Sequence, residues 1–285
     1  MVRLARPTDW VKNVFILAPV PFAVAAGVQL RGTALVLGVL GFCLVNSAVY
    51  TLNDLCDTEA DRIHPRKRNR PIASGVVSPT AAVVQMVVLL LLGMQLSLAA
   101  CLVVGSLDAA VLFLIYILVN VLYSLGAKHV ALLDVFLLSS GFVIRVLLGC
   151  ALVGAVPTAW LLLCTSSLAF FLGFTKRRAD LAAGLDGSHR PSLRGYSRAF
   201  LDQAITICAG VALLSYALYS IESEVFLRSR EMASMPFVAY GILNYLRLVN
   251  TQDVGGSPVD IAFSSRSSQV CALGWIVAIC WSLMW

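Results

Sequence analysis

The chain has 285 residues, of which 59% are hydrophobic and only 13% are charged. Its mean hydropathy of +0.87 lies far above that of a soluble domain, so the composition excludes a soluble globular protein and indicates a polytopic membrane protein. The formal net charge is +6, and the eight cysteines have neither paired nor metal-ligand spacing. We therefore expect these cysteines to be small core residues without a disulfide framework.

Nine apolar blocks predict membrane-spanning helices, although the first and the eighth are short enough that the count could be eight. The first block also has features of a signal peptide, but Pro19 and Pro21 interrupt it and favour a retained span. The sequence thus predicts an all-α, nine-helix bundle in one domain that covers residues 1–285. In chain order the predicted spans are 13–27, 33–52, 80–103, 108–125, 130–153, 157–175, 200–221, 234–249 and 268–285.

The distribution of positive charge predicts the orientation of these spans. With a cytoplasmic N-terminus, all but four of the 21 Lys and Arg residues fall on the cytoplasmic side or in its loops. Arg31, Arg228 and Arg230 fall on the other side, and Arg145 lies within a span. This is the positive-inside pattern. We therefore predict an integral protein of the cell (inner or plasma) membrane, with a cytoplasmic N-terminus and two cytoplasmic charged loops around residues 53–79 and 175–199.

The densest charge follows the second predicted span. If that span continues as a helix through Asp61, then Asp54, Asp57 and Asp61 lie at positions i, i+3 and i+7 on one helix face. Three close carboxylates repel one another unless a cation lies among them, and hard oxygen ligands of this kind suit Mg²⁺. We call these three residues the aspartate motif and predict that they bind Mg²⁺.

Basic residues directly follow the aspartate motif, between positions 62 and 70. Arg and Lys are common phosphate-binding side chains, so this cluster predicts that the metal carries a phosphorylated substrate. An anchor near lipid headgroups would also explain the basic residues. It would not explain three acids on one helix face among them.

The second charged loop has the same character with fewer acids. Lys176 and Asp180 are one helical turn apart, which is also typical of an ordinary intrahelical ion pair. The alternative is that Asp180 completes the metal site while Lys176, Arg177 and Arg190 bind phosphate oxygens.

Two ionisable residues lie inside predicted spans, where charge is costly and side chains usually face the interior of the bundle. Asp134 is near the cytoplasmic end of its span and could reach the site, whereas Arg145 is deeper and could equally be structural. Asn46 is typical of an interhelical hydrogen bond rather than of a ligand.

The pattern Asn-Asp-x-x-Asp-x-x-x-Asp at residues 53–61, with a second charged loop after the sixth span, resembles the UbiA superfamily of intramembrane prenyltransferases. The resemblance covers essentially the whole chain. It implies nine helices around a central cavity that opens to lipid, with a polar cap on the cytoplasmic side. Residues 6–13, 61–75, 141–145 and 176–180 are similar to the decaprenyl-phosphate phosphoribosyltransferase branch.

That branch transfers phosphoribose from phosphoribosyl pyrophosphate (PRPP) to a polyprenyl phosphate and releases pyrophosphate. The resemblance therefore implies a Mg²⁺-dependent transferase of cell-wall biosynthesis, with PRPP, a polyprenyl phosphate and membrane lipids as partners and no nucleic acid. A homo-oligomer is compatible with it. The implied catalytic residues are the aspartate motif and Asp180. The implied substrate-binding residues are Lys12, Asn53, Arg62, Lys67, Arg68, Arg70, Lys128, Asp134, Lys176, Arg177, Arg190, Tyr196 and Arg266.

Two alternatives stay open at the level of sequence. One is a UbiA-type aromatic prenyltransferase with a prenyl diphosphate donor, but those enzymes usually carry a second acidic motif, and Gly184 stands four residues after Asp180 here. The other is a transporter or scaffold for anionic lipids. PRPP and a lipid phosphate together bring more phosphate groups than a prenyl diphosphate, so they require more Arg and Lys. The two charged loops show this surplus.

Overall fold

The computed structural model describes residues 1–63, 67–187, 189–251 and 265–283. Within these ranges the chain is helical and contains no β-strand, which confirms the all-α prediction. The α-helices are α1 (Val2–Ala5), α2 (Val20–Ala25), α3 (Gly32–Cys56), α4 (Thr58–Ile63), α5 (Pro79–Val104), α6 (Asp108–Ser124), α7 (Leu133–Val153), α8 (Ala159–Ala182), α9 (Arg198–Glu222), α10 (Met235–Thr251) and α11 (Arg266–Leu283). The 3₁₀ helices are Pro7–Leu17, Lys67–Asn69, Ala127–His129 and Pro191–Gly195.

Among the described residues, five helices are long and apolar enough to cross a membrane, namely α3, α5, α7, α8 and α9. Helix α6 and residues Met235–Val249 of α10 are apolar but shorter. These helices make the chain an integral membrane protein. The described part of the chain does not reach nine such spans.

The predicted span 13–27 is not one α-helix. Its first residues belong to the 3₁₀ helix Pro7–Leu17, and α2 begins only after Pro19. Proline has no backbone N–H and fits a helix only in its first turn, so Pro19 and Pro21 start a new helix instead of continuing the old one.

The chain forms two compact units by its internal packing. The first unit comprises Met1–Leu137 and Ile144–Val156, and the second comprises Leu138–Val143 and Pro157–Trp285. The organisation as one domain over residues 1–285 stays a prediction.

In the first unit, α3 packs against both α5 and α6. A Cβ atom on Gly41 would lie 2.9 Å from the carbonyl oxygen of Gly93, and one on Gly93 would lie 2.8 Å from that of Gly41. The backbones of α3 and α5 therefore touch where they cross, as is common where small residues line an interface between membrane helices.

The N-terminal segment is fixed against α3. Leu4 is fully buried in a cluster with Ile72. The indole Nε1 of Trp10 donates to Oγ of Ser47 at 2.9 Å, and that hydroxyl donates to the carbonyl of Ala5 at 2.6 Å. These contacts hold residues 4–10 beside the C-terminal half of α3.

In the second unit, α8 packs against α9, while α10 packs against α9 and α11. The hydroxyl of Tyr216 in α9 is 2.7 Å from Oγ of Ser234, and it accepts from Nε1 of Trp275 in α11 at 2.9 Å. This buried polar contact joins α9 to α11 and to the residue before α10.

Candidate active site

The helix that carries the aspartate motif is interrupted within the motif. We expected one helix through Asp61, but α3 ends at Cys56 and α4 begins at Thr58. The Thr58 hydroxyl donates to the carbonyls of Asp54 and Leu55, at 3.0 and 2.9 Å. A side chain that bonds to carbonyls of the preceding turn often bends a helix. The three aspartates therefore do not lie on one face of a single uninterrupted helix.

Asp54 and Asp61 are buried and share one guanidinium group. Their side chains are only 1% and 3% exposed. Nη1 of Arg70 donates to Oδ1 of Asp54 at 3.0 Å and to Oδ2 of Asp61 at 2.6 Å. Nη2 of Arg6 contacts both oxygens of Asp54, at 2.5 and 2.6 Å. Two buried carboxylates are thus stabilised by two arginines from distant parts of the chain.

Asp57, the middle aspartate of the motif, contacts a different basic residue from those that contact Asp54 and Asp61. Its Oδ1 accepts a short hydrogen bond from Nζ of Lys128, which also donates to Oδ1 of Asn53 at 3.0 Å. Lys128 is buried in the 3₁₀ helix Ala127–His129, and its ammonium lies 5.9 Å from the centre of the Tyr123 ring. A lysine that follows α6 therefore neutralises the middle aspartate of the motif.

The buried carboxylates fit a divalent ion in their chemistry. Asp54 and Asp61 direct one oxygen each toward the same cationic nitrogen of Arg70, which shows that they can share positive charge at one point. Carboxylate oxygens are the ligands that Mg²⁺ prefers. Asp57 contacts Lys128 instead, and the described residues contain no group of three or more acidic, His or Cys side chains that could hold a metal ion. The three-carboxylate Mg²⁺ site stays a prediction.

Other predicted site residues of the first unit lie around this centre or on the surface. Nζ of Lys12 pairs with Asp9 at 2.5 Å. Burial lowers the pKa of the Lys12 ammonium, but Tyr50 and Asp9 raise it by more, so that the net shift is upward and Lys12 remains a cation at neutral pH. Arg62 is exposed and pairs with Glu59. The remaining predicted site residues of this unit are Lys67, which is half-buried, Arg68, which is exposed, and Asp134, which is fully buried in the first turn of α7.

Six predicted site residues belong to the second unit. Nη1 of Arg177 donates to Oδ2 of Asp180 at 2.6 Å, and Arg177 itself is 1% exposed. Nε of Arg190 donates to Oγ of Ser192 at 3.1 Å. Asp180 thus takes part in an intrahelical ion pair with Arg177. The other three are Lys176 and Arg266, which are exposed, and Tyr196, which is buried.

A buried arginine network lies within the first unit. Nε of Arg145 donates to Oδ1 of Asn13 at 2.9 Å, and Nη2 donates to Oδ1 of Asn46 and to the hydroxyl of Tyr116, both at 3.3 Å. The guanidinium also lies 5.0 Å from the centre of the Phe42 ring, a cation–π distance. Arg145 thus links α7 to α3, α6 and the 3₁₀ helix Pro7–Leu17, which is a structural role.

The model of the UbiA prenyltransferase family matches residues 13–264 of the chain. The chain belongs to the UbiA prenyltransferase family. Among its relatives is the decaprenyl-phosphate phosphoribosyltransferase of Corynebacterium glutamicum, which is 33% identical over 98% of this chain and 85% of its own length. The enzyme of the same name from Mycobacterium tuberculosis is also 33% identical, over 98% of this chain and 92% of its own.

Solved structures of UbiA homologs share the fold. A homolog from Archaeoglobus fulgidus, bound to DMAPP and Mg²⁺, matches with a TM-score of 0.74 and 18% identity over 98% of both chains. A homolog from Aeropyrum pernix K1 matches with a TM-score of 0.73 and 15% identity, over 95% of this chain and 98% of its own. These findings confirm the predicted UbiA fold, and the named relatives confirm the predicted branch.

Arg6 contacts Asp54 of the aspartate motif, but it is not among the site residues predicted from the sequence. It lies 48 positions from Asp54 along the chain, so no local spacing connects the two. The only available signal was that Arg6 begins one of the stretches that resemble the phosphoribosyltransferase branch. The contacts of Tyr116 and Asn13 with the structural Arg145 were not predicted either, since they join distant segments.

Proposed function

We propose that the chain transfers the 5-phosphoribosyl group of PRPP to a polyprenyl phosphate of the decaprenyl type and releases pyrophosphate. The activity that names its full-length relatives supports this proposal. The main structural support is that each carboxylate of the aspartate motif contacts a basic side chain of the same unit, namely Arg6, Arg70 or Lys128. The site therefore holds acids and phosphate-binding cations together.

This charge balance suits a donor with several phosphate groups. A site built only from carboxylates and metal can hold one diphosphate, but PRPP also carries a 5-phosphate, and the acceptor lipid carries another. Arg70 and Lys128 are chemically suited to contact phosphate oxygens, because the guanidinium and ammonium groups that pair with carboxylates here also pair with phosphate. Both would then orient the donor for attack at its anomeric carbon.

In the proposed reaction, the lipid phosphate oxygen attacks the anomeric carbon and the bond from that carbon to pyrophosphate breaks. A phosphate monoester is largely ionised at neutral pH, so the protein need not supply a strong base. The residues of the site act by orientation and by electrostatic stabilisation of the departing charge. A divalent ion held by Asp54 and Asp61 would supply further neutralisation of the diphosphate. The parts that Asp57 and Asp180 play stay predictions.

We further propose the membrane orientation that the charge distribution predicts. The N-terminus and the aspartate motif would face the cytoplasm, where a soluble phosphorylated donor is available, while the polyprenyl chain would lie among the apolar helices. The wide apolar surface supports contact with membrane lipids, since side chains such as Leu91, Leu102 and Leu214 are more than half exposed. A homo-oligomer is compatible with this arrangement.

Purified protein, incubated with a divalent ion, labelled PRPP and a polyprenyl phosphate, should release pyrophosphate and transfer the sugar label to lipid. Asp57→Ala should reduce this transfer at least a hundredfold, because it removes a motif carboxylate and the acidic partner of Lys128. Glu59→Ala is the matched control, since Glu59 is an exposed acid two positions away, and this variant should retain wild-type transfer.

The same preparation tests the alternative activity. Labelled prenyl diphosphate with an aromatic acceptor should give no labelled product. Lipid labelling from prenyl diphosphate but not from PRPP would refute the proposed donor, and wild-type transfer by Asp57→Ala would refute the assignment of the site.

A further inference from the structure

Arg6 contacts the carboxylate of Asp54 that a divalent ion would also need. Its Nη2 atom contacts both oxygens of Asp54, at 2.5 and 2.6 Å. Asp54 is 1% exposed, whereas Arg6 is 22% exposed. The carboxylate is thus buried behind a guanidinium that a soluble anion can still reach.

The backbone of Arg6 is held in an unusual conformation. Its φ of 48° and ψ of 58° lie in the left-handed region, which is unfavourable for residues other than glycine, and the following residue is Pro7. The surrounding contacts maintain this conformation, because Leu4 is fully buried and the Ala5 carbonyl accepts from Ser47. Strained backbone of this kind is typical of residues whose side chain must be aimed at a site.

A divalent ion bound to Asp54 would need the oxygens that Arg6 contacts. Oδ1 of Asp54 also accepts from Arg70, so both oxygens already face positive charge. An ion added to this group would lie within a few ångströms of two guanidinium groups, and like charges at that distance repel strongly where water is scarce. The ion would therefore bind poorly unless Arg6 found another anion. A phosphate group of the donor is such an anion.

We propose that Arg6 couples the binding of the divalent ion to the binding of the phosphorylated donor. With a divalent ion held by Asp54, the guanidinium of Arg6 would leave this carboxylate and contact a phosphate oxygen of the donor. Each ligand then favours the other, because thermodynamic coupling is reciprocal. The inference rests on the proposed function, since it takes a phosphorylated donor of the PRPP type as the anion.

The test measures the two ligands separately on full-length protein in detergent. Mn²⁺ binding is followed by electron paramagnetic resonance without donor, and donor binding is followed with labelled PRPP at saturating Mn²⁺. Arg6→Gln should bind Mn²⁺ about tenfold more tightly than wild type, because it removes a competing charge. It should bind PRPP roughly tenfold to a hundredfold more weakly, because it removes a charge-assisted hydrogen bond.

Two further variants make the result specific. Arg6→Lys keeps the charge but not the planar donor group. Its dissociation constants for Mn²⁺ and for PRPP should therefore lie between those of wild type and Arg6→Gln. Arg3→Gln removes an exposed arginine from the same segment and should leave both constants unchanged. Arg70 still contacts Asp54 in all three variants, so the buried carboxylate keeps a cationic partner and the fold should persist.

If Arg6 mediates the exchange, its replacement moves the dissociation constants for Mn²⁺ and PRPP in opposite directions, and PRPP tightens Mn²⁺ binding to the wild type more than to Arg6→Gln. If Arg6→Gln binds Mn²⁺ no more tightly than wild type, or weakens both ligands together, Arg6 is merely a structural partner of Asp54 and the inference is wrong. The Mn²⁺ titration without donor does not depend on the donor's identity. A wild-type protein that releases no pyrophosphate from PRPP would refute the proposed function instead.

Discussion

Replacement of Arg70 by methionine should destabilise the protein through one orphaned carboxylate. Arg70 contacts both Asp54 and Asp61, but Asp54 also has Arg6, whereas among the described residues Arg70 alone forms an ion pair with Asp61, at 2.6 Å. Asp61 is 3% exposed, so water cannot readily replace the lost partner. Breaking a buried ion pair by removing one member typically costs about 3–5 kcal/mol. We expect about 3 kcal/mol, because Arg70 itself is 23% exposed and was partly solvated.

A second substitution separates this stability effect from function. Arg70→Met combined with Asp61→Asn removes the uncompensated charge, so the double variant should recover about 2 kcal/mol of the loss, which a double-mutant cycle measures. It should not recover PRPP-dependent transfer, because the proposed phosphate contact and a motif carboxylate are both absent. The double variant should therefore recover stability without recovering activity.

The assay is thermal unfolding in detergent, followed by tryptophan fluorescence under conditions where the signal recovers on cooling, so that each melting curve yields a free energy of unfolding. Pyrophosphate release from PRPP is measured on the same samples. Arg68→Met is the control, because Arg68 is an exposed arginine of the same loop, and it should melt like wild type. If the double variant melts no higher than Arg70→Met, the orphaned carboxylate is not the cause of the destabilisation.

Two other substitutions test how the first unit is held together. A Cβ atom on Gly149 would lie 2.0 Å from the carbonyl oxygen of Ile16, so Gly149→Ala should lower the melting temperature by several degrees. Gly210→Ala is the control, because a Cβ atom there would have no atom within 4 Å, and it should leave the melting temperature unchanged or raise it. Arg145→Met should cost about 1–3 kcal/mol in the same unfolding assay, because Asn13 and Asn46 lose a buried donor. Wild-type melting of both Gly149→Ala and Arg145→Met would contradict these packing assignments.

The sequence was sufficient to predict the features that depend on neighbours along the chain. Apolar blocks long enough to span a bilayer predicted α3, α5, α7 and α9 to within about four residues, whereas α8 continues seven residues beyond the predicted end at 175. The aspartate motif was equally visible, because three acids are conspicuous in a chain with 13% charged residues. Spacing alone could not predict that Thr58 would interrupt the helix, since its hydroxyl competes with backbone N–H groups for the same carbonyls.

The sequence was insufficient where the site depends on contacts between distant segments. Asn13 and Arg145 are 132 positions apart, and Lys128 and Asp57 are 71 apart. Helical periodicity reports which residues share a face, but it does not report which helix that face meets. The partners of the aspartate motif therefore had to come from the structure.

The pairing of acids with bases explains how this site can exist at the edge of a membrane bundle. Unpaired carboxylates as buried as Asp54 and Asp61 would destabilise the fold, because a buried charge without a partner is costly. Arg6 and Arg70 supply the paired positive charge, and the same two side chains are chemically suited to phosphate. The same two arginines thus stabilise the protein without substrate and contribute to its affinity for substrate. A neutral replacement at either arginine should therefore change both properties, whereas Arg68→Met, at an exposed position of the loop, should leave the stability unchanged.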